Sequence, residues 1–179
     1  MTTSPHHPTA HHPTTHHPTA DLAVRTVPSP LGSLLLVADG DALAGLYYPD
    51  HRPAPRLGPT RADPGALPAA VEQLEQWFAG ERTAFDLPLA LRGTAFQRTV
   101  WHALAAIPPG TTVGYGELAQ RVGRPGAARA VGHAVARNPV SIVLPCHRVV
   151  GARGALTGYA GGVERKRSLL DHERRLVAA

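Results

Sequence analysis

The sequence predicts an α/β protein in which a small N-terminal α/β unit is followed by a mainly helical C-terminal unit carrying a helix-turn-helix. Three observations point there. Two short apolar runs flank the turn signal Asp39-Gly40-Asp41, and apolar residues recur at helical spacing in several later segments. Composition and charge also change together near Gly93.

Residues 1–20 hold three turns of a five-residue repeat: His6-His7-Pro8-Thr9-Ala10, His11-His12-Pro13-Thr14-Thr15 and His16-His17-Pro18-Thr19-Ala20. Frequent proline and the lack of large apolar side chains leave it nothing to bury, so it reads as a disordered tail. Paired histidines attract transition metals, but without fixed geometry such binding is adventitious. The N-terminal unit then spans 21–92. Runs 34–37 and 43–48 around Asp39-Gly40-Asp41 predict a β-hairpin. A proline-rich loop covers 49–68. Val71, Leu74, Trp77 and Phe78 follow at helical spacing, with Gly80 as the stop, and 85–91 predicts a further strand.

The C-terminal unit spans 93–179. Thr94 caps a helix carrying Phe96, Val100, Trp101 and Leu104, ended by Pro108-Pro109-Gly110. Helices over 115–122 and 127–137, joined by Gly123-Arg124-Pro125-Gly126, form the helix-turn-helix. The second stops at Asn138-Pro139, and 141–144 reads as a short buried extended run leading to Pro145-Cys146-His147-Arg148.

Charge divides at the same place. Residues 1–92 carry 6 Arg against 9 acids, giving −3; residues 93–179 carry 11 Arg and Lys166 against 4 acids, giving +8. Genomic base composition can explain Arg in place of Lys, but not its concentration in one half, which makes that half the candidate nucleic-acid face. A hydrophobic content of 43% suits a globular protein. No stretch approaches the roughly 18 apolar residues of a membrane span, and the N-terminus lacks the features of a secretory signal. The expectation is a cytoplasmic protein with no membrane partner. A single Cys excludes an internal disulfide and a cysteine-cluster zinc site, so no structural metal is expected.

That cysteine is the chemical focus. His147 and Arg148 place a proton acceptor and a positive charge next to Cys146 in sequence, the setting in which a thiol is held as the nucleophilic thiolate. The plain alternative is a buried cysteine acting as a small hydrophobe.

Six blocks decide between them: Tyr115-Gly116-Glu117-Leu118-Ala119, Arg129-Ala130-Val131-Gly132, Asn138-Pro139, Pro145-Cys146-His147-Arg148-Val149, Gly158-Tyr159-Ala160-Gly161-Gly162 and Leu169-Leu170-Asp171-His172-Glu173. In order and spacing they resemble the O6-alkylguanine-DNA alkyltransferases. The match is strongest over 93–173; the segment from Asp21 resembles that family's ribonuclease H-like N-terminal domain more loosely, and the histidine repeat lies outside it.

The resemblance implies a DNA-repair enzyme that flips a damaged nucleotide out of the duplex. It transfers the alkyl group of O6-alkylguanine, and of O4-alkylthymine, irreversibly to Cys146, with no cofactor. His147 is implied as a base acting through water, Glu173 as its orienting carboxylate, and Tyr115 as donor to the departing guanine. Asn138 is implied to brace the turn before the cysteine. Arg129 is implied to fill the gap left in the stack, on a helix lying in the minor groove with the small residues Ala128, Ala130 and Gly132; Thr94 and Tyr115 join the DNA contacts. Pro139 and Tyr159 are implied to wall the base pocket, Val149 to offer backbone hydrogen bonds to guanine, and Ala160 a backbone N–H. His133 stands where many relatives have Gly or Ala, and Ala160 lacks a hydroxyl that some relatives present. The partner implied is double-stranded DNA, met by a monomer.

Other readings compete less well. A non-catalytic alkyltransferase-like lesion-binding protein replaces the acceptor cysteine, which is present here. A helix-turn-helix regulator has no use for a Cys-His pair with a distant Glu, and a thiol hydrolase needs an oxyanion site.

Overall fold

The computed structural model describes residues 21–178; the histidine repeat lies outside them. Strands β1 (Leu22–Val27), β2 (Leu34–Asp39) and β3 (Ala42–Tyr47) form an antiparallel meander, and β4 (Thr60–Ala62) adds in parallel to β1, giving the order β3-β2-β1-β4. The expected hairpin is β2–β3. Asp39 pairs with Ala42 across a two-residue turn in which Gly40 takes φ 60°, a conformation glycine adopts without a Cβ clash. β1 and β4 fall outside the segments assigned to strands from sequence.

Helix α1 (Pro68–Ala79) begins with proline at its first turn and ends at Gly80, φ 87°. It buries Ala70, Leu74 and Trp77 at spacings of four and three, the stripe that covers one face of the sheet. The strand expected over 85–91 does not form. Only Leu89 bridges to Leu43, through Leu43 N–H to Pro88 O at 2.8 Å and Ala90 N–H to Leu43 O at 3.0 Å. Pro88 has no N–H with which to extend a ladder.

In the C-terminal half, α2 (Ala95–Ala105) opens with a capping box: Thr94 accepts from the Gln97 N–H while the Gln97 side chain accepts from the Thr94 N–H. Buried Trp101 donates its indole N–H to the Ala134 carbonyl at 2.8 Å, tying α2 to the helix that follows the turn. The helix-turn-helix is α3 (Tyr115–Arg121) and α4 (Ala128–Ala136), with Gly123 at φ 68° and Gly126 at φ 85° between them. β5 (Val113–Gly114) and β6 (Val149–Val150) pair in parallel, and α5 (Val163–Ala178) closes the domain.

Ser141, Ile142 and Leu144 are buried as expected and Val143 is half-buried, but the segment turns rather than extends. Leu144 N–H bonds to Val140 O at 3.0 Å and Ile142 sits at φ 70°. The cause is Asn138, whose buried amide donates to Leu144 O at 2.7 Å and accepts from Val140 N–H at 3.1 Å, cinching both ends. The same segment is stitched to β3 by Leu46 N–H to Pro139 O at 2.9 Å and Ser141 N–H to Leu46 O at 3.1 Å. The sheet of the first half thereby supports the cysteine loop of the second. No helix among the described residues is long and apolar enough to cross a membrane.

Candidate active site

Cys146, His147 and Arg148 form one turn of 3-10 helix at the end of this cinched loop, all three buried. In a turn this tight, neighbouring side chains leave in different directions. Cys146 faces a cavity of about 440 Å³ lined also by Tyr115, Gly132, Asn138, Tyr159 and Ala160. His147 and Arg148 reach Glu173 of α5 instead.

Glu173 is the hub. It is fully buried and accepts from His147 Nε2 at 2.8 Å, from Arg148 Nε and Nη2 at 2.7–3.0 Å, and from Gly110 N–H at 3.2 Å. Arg148 also donates to the Ile107 carbonyl. Burial alone would raise the Glu173 pKa, but the hydrogen bonds and charges of His147 and Arg148 outweigh it and hold it at about 2. An ionised carboxylate only accepts, so the His147 proton sits on Nε2 and Nδ1 keeps its lone pair. That Nδ1 is buried and has no partner among the described residues. Burial pushes the imidazole below its ordinary pKa, against the pull of Glu173, so it rests neutral.

The thiol differs from the sequence expectation. Burial pushes its pKa above the ordinary value, against a hydrogen bond from Asn138 and the charge of Lys166, so Cys146 rests protonated and not as thiolate. The positive charge that acts on it is Lys166, not Arg148, which is spent on Glu173. Lys166 is fully buried and donates to Val149 O at 2.6 Å and Thr157 O at 2.9 Å.

Tyr115 opens α3 half-buried, its ring in ordinary contact with Gly132 of α4. Tyr159 hydrogen-bonds to Tyr48 of the N-terminal half, O to O 3.1 Å. On α4 the residues Arg129, Ala130 and His133 are exposed along one face, while Val131, Ala134 and Val135 turn inward; Ala128 is half-buried at the helix start.

These elements are those of one repair family. Residues 22–91 match the ribonuclease-like domain, and residues 95–175 the DNA binding domain, of 6-O-methylguanine DNA methyltransferase. The chain belongs to the 6-O-methylguanine DNA methyltransferase family. It is 52% identical over 150 residues to the methylated-DNA--protein-cysteine methyltransferase of Mycobacterium tuberculosis strain H37Rv, covering 84% of this chain and 91% of the relative. The protein of that name from Salmonella typhimurium is 45% identical over 168 residues, covering 84% and 95%. A crystal structure of Mycobacterium tuberculosis OGT in complex with DNA superposes with a TM-score of 0.84 at 51% identity, covering 86% of this chain and 94% of that one.

Two residues implied for the base pocket are not among the residues lining this cavity. Pro139 lines the adjoining cleft, because its carbonyl is turned toward β3 to accept from Leu46. Val149 lies outside the lining: its N–H bonds to Cys146 O, while its carbonyl accepts from Lys166 and keeps a second lone pair. Thr94 serves as the α2 cap, and Ala160 lines the cavity as expected. Sequence reasoning missed Lys166, Tyr48 and Arg52. Only its helical spacing from Leu169, Leu170 and Glu173, the buried face of α5, bore on Lys166.

Proposed function

We propose that this protein repairs O6-alkylguanine, and O4-alkylthymine, in DNA by moving the alkyl group onto Cys146 in one irreversible turnover. The observation that carries the reading is a buried thiol facing a cavity, followed in the same turn by a histidine whose Nε2 is held by the Glu173 carboxylate. Glu173 keeps the proton on Nε2, so Nδ1 takes the thiol proton through a water as the sulfur attacks. The S–C bond forms, the C–O bond breaks, and its electron pair leaves with guanine. Tyr115 lines the cavity and burial keeps its hydroxyl protonated, which suits a donor to that leaving group. The thiolate of a high-pKa thiol is also the stronger nucleophile, so burial helps the displacement once the proton is gone. A thioether has no easy return path.

DNA enters along α4. Its exposed face joins Arg129 to small Ala130, with Gly132 half-buried under Tyr115, a profile that fits a narrow groove. We place it in the minor groove with Arg129 filling the gap of the extruded nucleotide. Exposed His133 adds bulk and a hydrogen-bonding edge to that face. The protein acts as a monomer before it meets DNA, through domains at 21–92 and 93–179. Its place is the cytoplasm, whose reducing conditions keep a lone reactive thiol intact.

Stoichiometry tests the reading. With excess O6-methylguanine duplex, demethylation should plateau at one lesion per protein, and Cys146→Ser should bind the duplex without repairing it. Continued turnover, or equal repair by Cys146→Ser, would sink it.

A further inference from the structure

We propose that Arg52 contacts the substrate, its guanidinium meeting a phosphate that flanks the nucleotide whose base enters the Cys146 cavity. The assignment rests on the alkyl-transfer reading above and adds a DNA contact from the N-terminal half, which carries a net charge of −3 over residues 1–92.

Among the described residues lining the cavity, ten come from 115–160 and Arg52 alone from the first half; it is also the only one with a full positive charge. Its position is fixed along with the pocket wall. Arg52 N–H donates to Ala160 O at 2.8 Å. Four residues earlier, Tyr48 bonds to Tyr159, and its ring lies so close to Gly161 that a Cβ there would come within 2.4 Å of it. Between them, Asp50 accepts from Arg165 at 2.5 Å, and Arg165 also stacks over Tyr48 at 4.8 Å. The segment 48–52 is therefore bolted to the loop 157–162 at several points, and Arg52 moves with the cavity rather than with a loose loop.

The side chain itself is exposed and makes no hydrogen bond or ion pair with a described residue; the neighbouring carboxylate of Asp50 is taken by Arg165. A neutral alkylated base gives a guanidinium at the cavity rim nothing to neutralise. What is anionic at that distance from a flipped base is its own phosphodiester, whose oxygens the arginine fork fits. The cationic lining continues in the adjoining cleft, which shares Ala136 and Asn138 with the cavity and adds Arg56, Arg92 and Arg137.

The experiment is a cycle between protein and DNA. Single-turnover repair is measured for wild type, Arg52→Ala and Arg52→Lys on O6-methylguanine duplexes in which either flanking phosphate is replaced by a neutral methylphosphonate. Arg52→Ala should slow duplex repair about tenfold, with Arg52→Lys recovering part of the loss. The slope of log rate against log salt should become shallower by about 0.9, one phosphate contact. One methylphosphonate should slow wild type as much as the Ala variant does, and add little to that variant. Additive losses at both phosphates, an unchanged salt slope, or an equal loss with free O6-benzylguanine would overturn the assignment and leave Arg52 a packing residue. Failure of wild type to repair the unmodified duplex would instead remove the alkyl-transfer reading, and this inference with it.

Discussion

At the scale of single residues, the chemistry turns on which nitrogen of His147 carries the proton. Glu173 stays ionised because Arg148 and His147 both donate to it, and an ionised carboxylate fixes the proton on Nε2. Nδ1 is left with a free lone pair, one residue along the chain from a thiol that burial keeps protonated. Since burial holds His147 below the ordinary value of 6.5, the neutral base persists at pH 6.5 and is lost only further down. Transfer from free O6-benzylguanine should therefore fall with a midpoint below pH 6.5, measured as single-turnover rates from about pH 5 to 8. A midpoint at or above 6.5 would mean that His147 is not the buried base described here.

At the scale of elements, α4 has one face for the core and one left open to solvent, the face proposed above to meet DNA. Val131, Ala134 and Val135 pack inward, while Arg129, Ala130 and His133 remain outside. Arg129→Ala should slow repair of duplex DNA at least about tenfold more than reaction with free O6-benzylguanine, since only the duplex needs a base extruded and replaced. Equal losses would count against the insertion role. The helices and the hairpin were legible because local signals specify them: Gly40 at φ 60°, the Thr94–Gln97 box, and the Ala70, Leu74 and Trp77 stripe. Residues 141–144 were not. Their apolar run fits a strand as well as a buried turn, and the Asn138 amide that selects the turn acts across six residues. The run at 85–91 was misread for a related reason: its apolar residues pack on the core while Pro88 and the surrounding loop pair with Leu43 alone. Within the site, Cys146, His147 and Glu173 were named through the family resemblance, and the structure brings His147 and Glu173 into hydrogen-bond contact. Lys166 and Tyr48 were missed because their burial depends on contacts between distant segments.

At the scale of the whole molecule, the Glu173 cluster joins α5, the cysteine turn and the 107–110 loop in one knot of hydrogen bonds. Its pKa of about 2 lies below the ordinary 4.5, so the folded state binds fewer protons than the unfolded chain. This contribution is fully present above about pH 4.5 and is lost as pH falls toward 2; the difference corresponds to about 3 kcal/mol. Urea midpoints should drop between about pH 4.5 and 3 in the wild type and drop less in Glu173→Gln, which has no carboxylate to titrate. Equal pH slopes for the two would show that Glu173 is not held ionised by its partners. The two halves are joined as firmly: Leu46 pairs with the 139–141 segment, His172 bonds to Trp77 O at 2.8 Å, and Tyr48 reaches Tyr159. The first domain therefore acts as a support for the pocket.

Whether Cys146 receives the alkyl group is read from the intact mass of the protein. After incubation with a duplex containing one O6-methylguanine, the protein should gain about 14 Da, one methylene, mapped by peptide digestion to Cys146, with unmodified guanine restored in the DNA. An unchanged mass, or a methyl group mapped to any other residue, would contradict the account.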